Sequence, residues 1–308
     1  MRALSLLDKK WWCCYCVVYD RVEGCHFILL ENESDIKAVQ NSKYTFSDTA
    51  GIYKVVKQKL QAGISVLFIG VPCQVAGLYG FLKKEYDNLT TVDIICHGMP
   101  SATYLEQHIK SIEDKKKEYT HQLFFRDPKY YTYTFTFTLK NIKGKEFYNK
   151  KVLTRDNYQL GYHRALIYRE NCYSCNYARK ERISDLTIGD FSGLGRFAPF
   201  EYDKHNVSCI LENTDKGAAL LKKLKGVLLM YERPACEAFE VEKQLKSPSA
   251  KHNGRYCFEQ VYNKTHDYVK ASNAALKDEK SKAVKAATVL NIKMFIYNIL
   301  VLLHIKKK

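Results

Sequence analysis

Residues 64–98 read ISVLFIGVPCQVAGLYGFLKKEYDNLTTVDIICHG, and this stretch decides the fold. Its first seven residues are an apolar run of strand length ending in glycine, the pattern of a strand buried on both faces. VPCQ and a helical VAGLYGFLKKEY (75–86) follow. LTTVDIICHG (89–98) is a second buried strand with its own glycine exit. A helix is expected from about Ser101 to Glu118. Strand, helix, strand, helix is the α/β rhythm, most simply a parallel sheet with crossover helices. Ligand sites in such sheets form at the carboxyl ends of the strands. Cys73 and Cys96 both lie there.

Working outward, YCVVYD (15–20) and CHFILLE (25–31) read as a hairpin around a turn at Glu23 and Gly24. A helix is expected within residues 47–63, with Ser47, Asp48 and Thr49 as capping residues and Gly63 as its stop. HQLFFRD (121–127), YYTYTFTFTLK (130–140) and FYNKKV (147–152) read as an antiparallel insertion, the second by strict alternation of aromatic residues with threonine. A helix over 156–168, strands over 184–191 and 206–214, and a helix over 215–226 complete the pattern. The expected class is therefore α/β: a mixed sheet with parallel strand–helix units, an antiparallel β insertion and a C-terminal helical tail. The expected division is one domain over 1–270 and a basic helical tail over 271–308.

The chain has 308 residues, a formal charge of +16 and eleven cysteines. The odd cysteine count argues against a closed disulfide framework. The apolar run in MRALSLL is too short for a secretory signal, since Asp8, Lys9 and Lys10 follow at once. A reducing, cytoplasmic setting is expected, where clustered cysteines more often bind metal or do redox work than form bridges. The lysines are scattered and no nucleic-acid-binding motif is present, so nucleic acid is not an expected partner. The apolar part of MFIYNILVLLHIKKK (294–308) is short of the roughly 20 residues a spanning helix needs. Its basic flanks suit a helix lying on an anionic membrane, which leaves a membrane-peripheral location open against docking on the protein's own core.

The segment ENCYSCNY (170–177) places Cys172 and Cys175 in a CxxC pair. Such a pair is a redox couple, half of a zinc site or half of an iron–sulfur site. Cys73, Cys96, Cys172 and Cys175 together would make a four-thiolate site, which suits zinc and iron–sulfur alike. The alternative for Cys73 and Cys96 is plain burial. Cys13, Cys14, Cys16 and Cys25 show no clean ligand spacing, and Cys209, Cys236 and Cys257 are expected to be buried. His97, next to Cys96, is a candidate proton donor. In RKERISDLTIGDFSG (179–193), Gly189 suggests close approach of a ligand or another backbone, and Arg179, Lys180 and Arg182 could meet an anion. The chain carries neither GxGxxG nor GxxxxGK[ST].

Six motifs in order, SKYTFSD (42–48), VLFIGVPCQVAGL (66–78), LTTVDIICHGMPS (89–101), FFRD (124–127), ENCYSCNYARKERISDLTIGDFSG (170–193) and VSCILENT (207–214), resemble the coenzyme F-420 hydrogenase/dehydrogenase beta-subunit family. The resemblance implies an oxidoreductase with a 4Fe-4S cluster and FAD, the flavin exchanging hydride with a deazaflavin coenzyme or another organic substrate. It implies Cys73, Cys96, Cys172 and Cys175 as the cluster ligands. It implies Lys43, Tyr44, Ser47, Asp48, Gln74, Arg182 and Asp185 as the flavin or substrate pocket. Relatives carry an amino-terminal ferredoxin-like segment that this sequence does not show, so a separate ferredoxin-like donor protein is the expected partner. WWCCYCVVYD (11–20) stands where relatives have a glycine-rich stretch, bulk that a phosphate-cradling backbone tolerates poorly. The competing expectation is a non-catalytic relative that keeps the four cysteines as a structural metal site.

Overall fold

Val66, Leu67 and Phe68 are buried at consecutive positions of β3 (Ser65–Gly70), so both faces of this strand are covered. That is what an apolar run without alternation requires. The computed structural model describes residues 12–30, 32–49, 51–130, 135–151, 156–202 and 207–282. In chain order the strands are β1 (Trp12–Asp20), β2 (Gly24–Leu30), β3, β4 (Leu89–Ile94), β5 (Gln122–Phe124), β6 (Phe137–Lys140), β7 (Glu146–Lys150), β8 (Leu186–Asp190) and β9 (Ser208–Glu212). The α-helices are α1 (Glu33–Val39), α2 (Ile52–Gln61), α3 (Pro72–Leu82), α4 (Ala102–Lys116), α5 (Asn157–His163), α6 (Asp215–Leu224), α7 (Cys236–Phe239), α8 (Arg255–Thr265) and α9 (Tyr268–Ala275).

The chain divides into two compact units, one of Met1–Ala102 with Tyr168–Lys251, the other of Thr103–Ile167 with His252–Lys308. The first holds a six-stranded sheet in the order β2-β1-β3-β4-β8-β9. β1, β3, β4 and β8 run parallel, while β2 and β9 close the edges antiparallel. One face packs Tyr15, Phe27, Phe68, Val75 and Leu78 into a core. The other packs Cys14, Leu67, Val92 and Leu186 against α6 through Leu220 and Leu224. The expected parallel strand–helix units and the mixed sheet are both present.

The second unit contains the antiparallel sheet β5-β6-β7 and helices α4, α5, α8 and α9. Its core is aromatic: His108, Phe137, Tyr158 and Tyr268 meet with ring centroids 5.8–6.0 Å apart. Asp156 caps α5 by accepting from Gln159 N at 2.7 Å and holds His108 Nε2 at 2.7 Å. The alternating stretch expected over 130–140 appears as β6 in its last four residues, and 131–134 lie outside the described residues. The proposed membrane-touching segment, 294–308, also lies outside them. Among the described residues no helix is long and apolar enough to cross a membrane.

One local expectation needs correction. α2 starts at Ile52, capped by Gly51 in the left-handed region, and not by Ser47, Asp48 or Thr49. Ser47 is instead engaged by Gln74, and Asp48 N donates to Cys25 O at 3.0 Å. α1 gave no periodic signal in so short a stretch. It is closed at its end by Lys43, whose ammonium donates to Ala38 O and Gln40 O at 3.2 and 2.7 Å.

Candidate metal centre

Three chain segments deliver the four cysteines to one place. β3 ends at Gly70, Val71 turns the chain, and Pro72 opens α3 with its fixed φ. Cys73 is therefore in the first helical turn, where the helix dipole favours negative charge. β4 ends at Ile94, and Ile95 continues the ladder by donating to Ile188 O at 2.9 Å. Cys96 follows at the carboxyl end of the sheet. Cys172 and Cys175 come from a 3-10 turn, Glu170–Ser174, with Cys175 as its C-cap. The four side chains line one pocket with a cavity of about 50 Å³, together with His97 and Arg169.

The backbone around the pocket is cross-tied. Met99 N donates to Cys172 Sγ at 3.4 Å, Arg169 N donates to Met99 O at 2.9 Å, and Cys172 N donates to Arg169 O at 2.9 Å. Ser249 Oγ donates to His97 O at 2.7 Å. The Arg169 guanidinium lies 4.4 Å from the centroid of the Phe46 ring, which holds a positive charge beside the thiols. Gly98 has φ +144°, and a Cβ there would lie 2.3 Å from the Tyr168 ring. We expect Gly98→Ala to push Tyr168 out of register with the ICHG turn and to cost about 2–3 kcal/mol by strain and overpacking. Thermal unfolding checks this, and a midpoint equal to wild type would remove the turn from the account.

Burial first, and neighbouring thiols after it, raise the pKa of Cys73, Cys96 and Cys172. Cys73 keeps an exposed edge, yet desolvation, then the thiols of Cys175 and Cys172, push its pKa up. Burial, then Cys73, pushes Cys96 up. Burial also raises Cys172, opposed by the Met99 N–H. Raised in this way the thiols are neutral; only a bound cation would favour their thiolate forms together. Desolvation pushes His97 down, against the carboxylates of Glu242 and Asp190, so its imidazole is mostly neutral near pH 7.

The residues expected to line a flavin pocket behave differently. Arg182 spends all three nitrogens inside the fold: Nη2 on Asp93 Oδ1 at 2.6 Å, Nη1 on Tyr177 O at 3.0 Å and Nε on Thr187 Oγ1 at 3.1 Å. Asp185 accepts from Thr91 N, Thr91 Oγ1 and Thr214 Oγ1 at 2.7–3.0 Å, tying β4 to the start of β8 and to the N-cap of α6. Gln74 donates to Ser47 O and Oγ and accepts from Val71 N. Lys43 caps α1, and burial lowers its pKa to about 8. Tyr44 is half-buried and Asp48 exposed. The seven residues do not fit a flavin as one set, because Ser47, Gln74, Arg182 and Asp185 are buried and committed to framework bonds.

Other cysteines are placed by the sheet. Cys13 packs in the core on one face of β1 and Cys14 in the core on the other, so these two do not share a face. Cys209 is buried as expected, whereas Cys236 and Cys257 are exposed, because their helices turn those positions outward. At Gly189 a Cβ would meet Ile95 Cδ1 at 2.7 Å, so this glycine makes room for Ile95 rather than for a ligand. Sequence reading missed Arg169, Met99 and Ser249. Only their closeness to the cysteine motifs could have pointed to the first two. Among the described residues, no group of three or more His, Cys, Asp or Glu side chains has the arrangement of a metal-ion site.

No curated protein matches the chain. Among solved structures, a chain of the xenon-derivatised F420-reducing [NiFe] hydrogenase complex from Methanosarcina barkeri is similar to it, with a TM-score of 0.48 and 14% identity over 96% of this chain and 85% of that one. The family model for the C terminus of the coenzyme F420 hydrogenase/dehydrogenase beta subunit matches residues 64–234, which hold β3, β4, β8, β9 and all four pocket cysteines. The chain belongs to the coenzyme F420 hydrogenase/dehydrogenase beta-subunit family.

Proposed function

We propose that Cys73, Cys96, Cys172 and Cys175 ligate one 4Fe-4S cluster and that the chain is an electron-transferring oxidoreductase subunit. The observation that carries this is their convergence, from three separate segments, on one pocket at the carboxyl end of a parallel sheet. Four soft thiolates fit such a cluster. The cluster would supply one-electron storage and transfer. The residues around it do the rest. The first turn of α3 and the Met99 N–H stabilise negative charge at Cys73 and Cys172. Arg169 adds a positive charge that favours the more reduced, more negative state. The Arg182–Asp93 pair fixes one wall without adding net charge.

The donor in this reading is a separate iron–sulfur protein. All eleven cysteines are free, which suits a reducing cytoplasmic setting. The reading extends to FAD only through Lys43, Tyr44 and Asp48, whose side chains are not wholly enclosed, and no step is assigned to it. Protein purified without oxygen tests both parts. Broad brown absorbance that bleaches with dithionite supports the cluster, and colourless protein rejects it. Flavin released by acid at one per chain supports FAD, and its absence limits the chain to electron relay.

A further inference from the structure

The loop after β8 and the loop after α6 are locked together by one buried carboxylate. Glu237, on α7, accepts from Gly195 N, Phe197 N and Ala198 N at 3.0–3.4 Å. Arg233 donates to both Glu237 oxygens at 2.8 and 2.9 Å and reaches Ala198 O and Pro199 O at 2.6 and 3.0 Å. The Glu237 side chain is fully enclosed. The Arg233 hydrogen bonds, and the loop N–H groups after them, hold its carboxyl down at about 2, so it stays charged. Surface loops are ordinarily mobile, and this pair is pinned.

The pinned loops present rings to solvent. Phe200, Tyr202 and Tyr231 form a trio with centroids 4.8–5.6 Å apart. Tyr202 is 60% exposed and Tyr231 39%, where burial would be the ordinary fate of such rings. They open on a shallow, solvent-open concavity of about 510 Å³. Glu201 and Glu232 flank it, both exposed. Arg233 lies 5.4 Å from the Phe200 centroid, so one cation already rests on this trio. Its charge is matched by Glu237, so among the described lining residues the unmatched charges are the carboxylates of Glu201 and Glu232.

Aromatic faces with two carboxylates, and no unmatched cation among the described lining residues, select an organic cation. The ring quadrupole attracts the positive charge, and the carboxylates add a longer-range field. An anion would meet Glu201 and Glu232, and an uncharged apolar ligand would gain nothing from them. We propose that the cavity between Tyr202, Tyr231, Glu201 and Glu232 binds an alkylammonium group, seated on the outer faces of the two tyrosine rings. The site belongs to neither the thiol pocket nor the electron-transfer reading, and it stands if the latter fails.

The test uses the full chain and two probes of one shape. Choline carries the charge, and 3,3-dimethyl-1-butanol replaces the ammonium nitrogen by carbon. Saturation-transfer NMR and calorimetry should show choline binding at least about tenfold more tightly than the alcohol. Tyr231→Leu and Tyr202→Leu should each weaken choline about fivefold or more, with the fold retained because both rings keep solvent-exposed faces and leucine keeps apolar packing in the trio. Glu232→Gln should weaken it severalfold and flatten its salt dependence. Equal binding of the two probes, no choline binding at millimolar concentrations, or full affinity in Tyr231→Leu would overturn the proposal.

Discussion

In the proposed cluster-bound protein, Cys172→Ser is expected to remove the iron. Of the four thiols, Cys172 is the one whose sulfur accepts the Met99 N–H, and its own N–H is held by Arg169 O. It is the ligand that the ICHG turn and the CxxC turn fix jointly. A serine hydroxyl does not ionise near neutral pH and is a hard donor, so it replaces a thiolate poorly on a soft cluster. Three ligands in a shallow, partly open pocket then hold iron only transiently. Oxygen-free purification followed by iron analysis should give less than about one iron per chain, against about four in the parent. Cys257→Ser, in α8 of the other unit and exposed, is the matched control and should keep the parent value. Iron equal to the parent in Cys172→Ser would remove this residue from the ligand set.

The second large effect concerns stability. Arg182 and Asp93 form an ion pair with side chains 2% and 0% exposed. Asp93 Oδ2 already has no protein partner among the described residues. Arg182→Met strands a buried carboxylate on a central strand, and breaking one partner of such a pair costs about 3–5 kcal/mol. The thermal midpoint should fall by roughly 10 °C. Replacing both partners, as Arg182→Met with Asp93→Leu, should recover much of the loss, because a well-packed apolar pair avoids desolvating charge. A residue whose task was to hold a flavin would give the opposite result: Arg182→Met would unfold like the parent in flavin-free buffer and lose only flavin affinity.

The strands were legible because each carried its own punctuation. β3 and β4 are apolar runs that stop at glycine or just before the ICHG turn, and β1 and β2 flank the turn at Glu23 and Gly24. Two of the pocket thiols were legible for the same reason: Cys73 and Cys96 follow strands, and topology brings strand ends together, whereas Cys172 and Cys175, in a 3-10 turn, were marked by their CxxC spacing alone. The roles of Arg182, Asp185 and Gln74 were not legible. Their partners Asp93, Thr91 and Ser47 lie 27 to 94 positions away, and no local pattern reports a bond of that span. The same holds for the partition into two units. The chain leaves the first at Thr103 and returns at Tyr168, which no change of composition marks. Lys43 illustrates a third case, a basic residue in a recognisable motif whose ammonium closes a helix too short to be read.

The proposed electron-transfer role depends on sulfurs remote in sequence sharing one inorganic centre. The most direct measurement is iron and acid-labile sulfide per chain in protein kept free of oxygen, with zinc read from the same digest. About four iron and four sulfide, with zinc near zero, is the predicted result. One zinc per chain with neither iron nor sulfide, or no metal of any kind, would contradict it.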